Sequence, residues 1–369
     1  MFNYSIFLQI LFAGLLSFIL VFVCTPTILK VAYSKNLFDE PGKRHVHKKR
    51  VPTLGGLAIF IGILFTYSFY IDLFNYHPVK FLVPSLLIIF SIGIKDDILI
   101  TAPIMKFMGQ LAACLIIVGF GDLIITDFHG FFGIHPNYFM SLFVTVLLMI
   151  FLINGYNLID GVDGLAAITG IVATIGFSVW FLINGEFLIP ILGVIIVGAL
   201  LAFLYFNVFS KKNKIFMGDT GSLIIGFLMS VLAIRFMEFN TPAVRDSLTY
   251  TMTSAPAVAM GIMIVPIIDT LRVFFRRIIR GHSPFAGDKT HIHHRLLTLG
   301  FTHFQVALIL GGVNVLFALM SYALKDFGML KLLVLNLVLG ISIFQLPSVA
   351  IRYKKKKMRT RKREIPKIP

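Results

Sequence analysis

Cysteine is almost absent from this chain: its 369 residues hold two, Cys24 and Cys114, each within or at the edge of an apolar run. A pair so placed builds neither a thiolate metal site nor a disulfide framework. Internal repeats and low-complexity segments are missing too, and nothing marks a second domain. Residues 1–351 therefore read as one integral membrane unit and 352–369 as a basic tail. No cleavable leader is expected from the N-terminal run. The apolar run Ser5–Val23 has no basic stretch before it, and Cys24-Thr-Pro-Thr followed by Lys30 offers no small-residue cleavage site. It reads as a first membrane span.

What is present in excess is apolar surface. Hydrophobic residues make up 57% of the chain and the mean hydropathy is +0.90, against roughly 45–50% apolar content for soluble domains. A bilayer-crossing helix needs about 20 mostly apolar residues. The runs fit an all-α polytopic protein with eleven spans, at about 5–24, 54–71, 81–95, 104–120, 138–154, 162–182, 187–207, 220–237, 256–274, 303–322 and 330–350. Placing the N-terminus outside puts 28 of the 33 lysines and arginines on the inner side, as the positive-inside rule requires. The N-terminus is then periplasmic and the C-terminus cytoplasmic.

The net charge of +16 does not imply nucleic acid as a partner. Ten of the basic residues lie in the tail Arg352–Pro369, and a basic stripe beside a membrane helix meets anionic lipid headgroups. The outer stretch 121–137, with its aromatics, Gly and Pro, reads as a short hairpin or loop.

Ionisable residues at span ends are functional candidates because burying them in lipid is costly. Here they form four clusters, all on the inner side. Lys95-Asp96-Asp97 ends the third span, with Lys106 beyond it. The neighbouring carboxylates Asp96 and Asp97 repel, which favours a proton on one of them, and they also suit a hard cation. Asn154, Asn157, Asp160 and Asp163 recur every three residues among Gly155, Gly161 and Gly164, which suggests a backbone that leaves the helix so that these oxygens converge. Gly218-Asp219-Thr-Gly-Ser222 reads as a tight turn opening a helix, whose N–H groups attract anions while Asp219 holds a cation. The fourth cluster is Asp288-Lys289-Thr-His291-Ile-His293-His294-Arg295. It has no His-x-x-x-His pair and no cysteine, so phosphate or sugar hydroxyls fit it better than zinc. His45 and His47, in a basic loop with Lys48, suit phosphate steering. Many carboxylates with several cations at a membrane boundary point to Mg²⁺, a phosphorylated nucleotide and a lipid substrate, since phosphoryl transfer rests on positioning and charge neutralisation.

At these residues the chain resembles the polyprenyl-phosphate N-acetylhexosamine-1-phosphate transferase superfamily, from Val51-Pro-Thr-Leu-Gly-Gly56 to His294-Arg-Leu296. The form Asp288-Lys-Thr-His-Ile-His-His-Arg-Leu296 is similar to the branch that starts O-antigen, common antigen and teichoic acid linkage units. The phospho-MurNAc-pentapeptide branch carries three successive histidines there, so that substrate is disfavoured. The resemblance implies a bacterial inner-membrane enzyme with its site facing the cytoplasm, and a homodimer is compatible with it. It would transfer N-acetylhexosamine 1-phosphate, most often GlcNAc-1-phosphate, from a UDP-sugar to undecaprenyl phosphate with Mg²⁺ or Mn²⁺. By motif, Asp219 and Asn157 would hold the metal. Asp163, Asn207 and Phe216 would face the uridine, Lys106 a phosphate, and Lys48 the nucleotide. Asp96 or Asp97 would assist the lipid phosphate, and Asp160 belongs to the same catalytic motif. His291, His293 and His294, with Arg295, would close over the sugar and diphosphate. Val51 stands where the translocase pattern has Thr. A transporter would instead bury charges near the midplane and often show inverted repeats. A scaffold would need no such motifs.

Overall fold

In lipid every backbone polar group must find an internal partner, which leaves helices as the form for apolar runs of this length. The computed structural model describes residues 4–38, 51–70, 78–99, 101–245, 247–279, 281 and 291–364, and among these it is all-helical apart from turns and connecting segments. The helices are α1 (Tyr4–Ser34), α2 (Gly55–Ser68), α3 (Leu82–Ile98), α4 (Pro103–Gly119), α5 (Tyr138–Ile159), α6 (Leu165–Ile183), α7 (Leu188–Leu204) and α8 (Gly218–Phe239). They continue with the single turn α9 (Pro242–Arg245), then α10 (Ala255–Ile262), α11 (Ile264–Ile279), α12 (Ile292–Leu299), α13 (His303–Ala323) and α14 (Met329–Glu364).

A helix occupies each of the eleven stretches read as spans. Among the described residues seven helices are long and apolar enough to cross a membrane, and an eighth span is present if α10 and α11 count together; α2 and α4 are shorter apolar helices. The chain is a multi-pass membrane protein.

Helix α8 is the hub. Nearly all its side chains from Thr220 to Met237 are buried, and α2, α3, α5 and α6 pack around it. Small residues permit this. A Cβ at Gly56 would run into the backbone of Gly221, and one at Gly226 into Ile153 on α5, the close backbone approach that holds helices together in lipid. Peripheral α1 and α14 keep apolar side chains such as Phe7, Leu11, Val338 and Leu346 exposed, as lipid-facing surfaces do.

The stretch read as one span over 256–274 is broken. α10 and α11 meet at 86°, and the cause is local. Pro266 has no N–H to give Ile262 O, the ordinary partner four residues back. The buried Asn314 of α13 fills the gap: its Nδ2 donates to Ile262 O at 2.7 Å, and its Oδ1 accepts from Val265 N–H at 3.3 Å. A second irregularity ends α7, where Tyr205–Phe209 form a π-helical turn carrying Asn207. Opposite the polar clusters, the 121–137 stretch runs without regular helix except at Phe131–Gly133. Thr126 there donates to Glu238 through both its N–H and its hydroxyl.

Candidate active site

Alternating helix direction brings distant motifs to one end of the bundle. The C-terminal ends of α3, α5 and α7 and the N-terminal ends of α4, α6 and α8 meet there. Pro52 to Gly56 form the floor: Phe216 N–H donates to Pro52 O at 2.9 Å, Gly55 N–H to Phe216 O at 2.9 Å and Gly56 N–H to Met217 O at 2.8 Å. Gly218, at φ +70°, then turns the chain into α8. A side chain at that position would strike Thr53 O and the Asp97 carboxylate, so the turn requires glycine.

Asp96 and Asp97, adjacent in sequence, have different partners. Asp97 caps α8: its Oδ1 accepts from Asp219 N–H at 2.7 Å, and its Oδ2 accepts from Thr220 N–H at 3.1 Å and Thr220 Oγ1 at 2.5 Å. Asp96 instead accepts at Oδ1 from Thr101 N–H at 2.8 Å and binds the Lys106 ammonium through Oδ2 at 2.5 Å. Lys106 also pairs with Asp219 Oδ2. Asn157 Nδ2 donates to Asp219 Oδ1 at 3.1 Å and to Ser222 Oγ at 2.9 Å. Asn154 lies further back, donating to Gln110 Oε1 at 2.8 Å. Asp96, Lys106, Asn157 and Asp219 thus form one connected group.

Asp160, in the loop after α5, is close enough to that group to feel it. Burial, then the charges of Asp219, Asp97 and Asp163, pushes its carboxyl well above the usual range. Asp96 and Asp219 share one lysine, with Asp97 and Asp160 beside them, and this gathering of hard oxygen donors fits Mg²⁺. Among the described residues no three carboxylate or imidazole groups complete a cation cage unaided. Mg²⁺ commonly keeps water and substrate phosphate oxygens in its shell.

A second group flanks the first. Asp163 Oδ2 binds Lys214 Nζ at 2.6 Å and lies 3.6 Å from His303 Nδ1. Lys214 sits 5.6 Å above the Phe216 ring. Asn207 is buried, its Oδ1 accepting from Gly164 N–H at 2.7 Å and its Nδ2 donating to Ile215 O at 2.9 Å. Its amide therefore locks the Gly164 turn to the Phe216 segment.

The histidines form a third group. The His291 and His293 rings lie parallel, with centroids 5.5 Å apart, and His293 is 4.3 Å from His294. A Cβ at Gly161 would meet His293 Nε2, so this group rests directly on the Asp160 loop. Burial pushes the His293 imidazole down to about 3 against the opposing pull of Asp269. Arg295 bonds Ser348 Oγ on α14. Lys48 lies outside the described residues, as do His45, His47, Asp288 and Lys289.

Sequence reasoning did not pick out Thr101, Lys214, His303 or Asp269. Asp269 left a signal: a lone acidic residue directly after the apolar run Ile264–Ile268 is expensive in a membrane segment without a purpose. The other three left none.

Residues 79–237 match the family described as Glycosyl transferase family 4. A probable undecaprenyl-phosphate N-acetylglucosaminyl 1-phosphate transferase of Bacillus subtilis (strain 168) is 32% identical over 322 residues, 86% of each chain. The chain belongs to glycosyl transferase family 4. Within this family it is also similar to the undecaprenyl-phosphate alpha-N-acetylglucosaminyl 1-phosphate transferase of Escherichia coli (strain K12), at 30% identity over 90% of each chain. The decaprenyl-phosphate N-acetylglucosaminephosphotransferase of Mycobacterium tuberculosis (strain ATCC 25618 / H37Rv) is 31% identical over 82% of this chain and 79% of its own. The family match spans the first residue group and, His303 apart, the second, whereas Asp269 and the 291–294 histidines lie C-terminal to it.

Proposed function

We propose that the chain transfers N-acetylglucosamine 1-phosphate from UDP-N-acetylglucosamine to undecaprenyl phosphate, releasing UMP. The carrying observation is the connected Asp96–Lys106–Asp219–Asn157 group at one end of an apolar bundle, where a water-soluble nucleotide sugar and a lipid phosphate can meet. The relatives' names, N-acetylglucosaminyl 1-phosphate transferases of undecaprenyl phosphate, support the same acceptor and transferred group.

In the net reaction an oxygen of the lipid phosphate bonds to the sugar-bearing phosphorus. The bond from that phosphorus to the bridging oxygen breaks, and UMP leaves with that oxygen. Both substrates are anionic, so the carboxylates must be screened. Asp219 and Asn157 would hold Mg²⁺, which supplies charge neutralisation across the diphosphate when bound. Lys106, drawn between Asp96 and Asp219, is placed to pair with a phosphate oxygen as substrate enters. Asp96, held by Thr101 and Lys106, would assist the lipid phosphate, with Asp160 in the same acidic wall. Phe216 offers a face for the base, with Asp163 and Lys214 as an adjacent acceptor and donor. The histidine group, resting against the Asp160 loop, would close over the sugar and diphosphate.

The chain crosses a bacterial inner membrane eleven times, with the site facing the cytoplasm and the N-terminus outside. Helix α14 runs on into Arg352 and Lys354–Lys356, and this basic end meets anionic headgroups.

The test is UMP release by the purified chain given undecaprenyl phosphate and a panel of UDP-N-acetylhexosamines. Mg²⁺-dependent UMP with UDP-GlcNAc is the expected result; none with any donor would refute the reading. Asp219→Ala should lower kcat/KM on the order of 100-fold or more with the protein still in the membrane fraction.

A further inference from the structure

Asp269 is the most deeply buried carboxylate among the described residues outside the groups discussed so far, with 0% of its surface exposed. It stands in the first half of α11, just past the Pro266 break. Three donors converge on it. Its Oδ2 is 2.9 Å from His291 Nδ1, and its Oδ1 accepts from Ile292 N–H at 2.9 Å and from Arg272 Nη2 at 3.1 Å. Arg272 is itself anchored, donating to Phe344 O on α14 at 3.1 Å.

A carboxylate held this way can only accept, so His291 must present Nδ1–H to it. In the neutral form of the ring that leaves Nε2 as a lone-pair acceptor. His291, 3% exposed, carries the parallel ring of His293, whose Nε2 abuts Gly161 beside Asp160. Among the described residues His293 Nδ1 has no hydrogen-bond partner although it is buried, and such an orphan is costly unless something else completes it. The chain of contact thus runs from α11 through both histidines to the acidic loop.

We infer that Asp269 is the positioning residue of the histidine pair: it fixes the tautomer and orientation of His291, and through the stacked His293 sets the histidines against the Asp160 loop. The inference rests on the transferase reading above. The base-facing group of Asp163, Lys214 and Phe216 does not depend on this contact. Loss of Asp269 should therefore impair turnover more than nucleotide-sugar affinity.

Asp269→Asn keeps the volume but cannot accept from all three donors. In the UMP assay its kcat should fall about 10- to 100-fold, the range seen when an outer carboxylate that orients a histidine is removed, with KM for the UDP-sugar within about threefold. Asp269→Asn combined with His291→Gln should be no slower than His291→Gln alone, because both remove one device. A kcat within about twofold of the unsubstituted chain, or losses that multiply in the double variant, would overturn the inference. A melting curve for each variant separates misfolding from mispositioning. ¹⁵N-histidine NMR, with His291 assigned from its absence in His291→Gln, reads the tautomer directly. One Nδ1–H form, lost or mixed in Asp269→Asn, is expected. An unchanged tautomer would overturn the positioning role even if no UDP-sugar were turned over, a result that would bring down the transferase reading alone.

Discussion

Asp96 and Asp97 illustrate why adjacent residues of one type need separate tests. Asp97 offers both oxygens to the first turn of α8, where an anion meets unsatisfied N–H groups and the positive end of the helix dipole. Asp97→Ala should therefore cost about 1–2 kcal/mol of stability as well as activity, because Asp219 is the residue being capped. Asp96→Asn should lose activity while shifting the melting temperature little, since partly exposed ion pairs contribute about 0–1 kcal/mol. Melting curves run beside UMP assays check both. His293 gives a pH signature. Its folded-state value of about 3 lies below the ordinary value near 6.5, so the unfolded chain binds the proton more readily. Stability is then complete above about pH 6.5 and falls as pH drops toward 3, by about 1 kcal/mol across the first unit. His293→Gln should flatten that slope in melts between pH 7.5 and 5. The acidic residues of the site were legible because they sit at span ends, where hydropathy makes them conspicuous. Their division of labour was not, because it depends on which backbone N–H groups reach each oxygen.

Two helical details went further than a hydropathy pattern can reach. The run 256–274 is continuous in apolarity, and Pro266 is visible in it, yet a proline can be absorbed by a mild kink. What stabilises an 86° break is Asn314, 52 residues away from Ile262, and local sequence carries no trace of that pairing. Asn314→Leu should leave Ile262 O and Val265 N–H unpaired in a dry interior. At about 1–3 kcal/mol for a buried group so abandoned, the variant should show a clearly lowered melting temperature. Because α11 carries Asp269, activity should fall with it. Gly221 makes the converse case. The segment Gly218–Ser222 predicts a tight turn opening a helix; the turn is at Gly218, φ +70°, and Gly221 already lies within α8. Its own task, letting α2 approach α8, appears only when Gly56 is found against it. Gly221→Ala should reduce the yield of folded protein in detergent, while Gly312→Ala, where an added methyl meets nothing within 4 Å, should not.

The multi-pass helical bundle was readable because lipid sets a minimum length for an apolar run, and that length is written in composition. The polar groups collect at one end because α3, α4, α5 and α8 run alternately and their motifs lie at alternating helix termini. Any membrane orientation must therefore put Asp96, Asn157 and Asp219 on a single face, together with the basic end of α14, whose helix reaches Lys354–Lys356. On the proposed orientation, with 28 basic residues on one side and 5 on the other, that face is the cytoplasmic one. The stretch 121–137 then lies outside, tied down by Glu238. Cysteine scarcity makes this testable: with Cys24 and Cys114 replaced by Ser, His135→Cys and Lys355→Cys each introduce one thiol at an exposed position. In intact cells a membrane-impermeant maleimide should label His135→Cys at once, and Lys355→Cys only after permeabilisation. The reverse pattern would place the acidic site outside, where UDP-sugars are not supplied, and would exclude the eleven-span orientation together with the donor proposed for it.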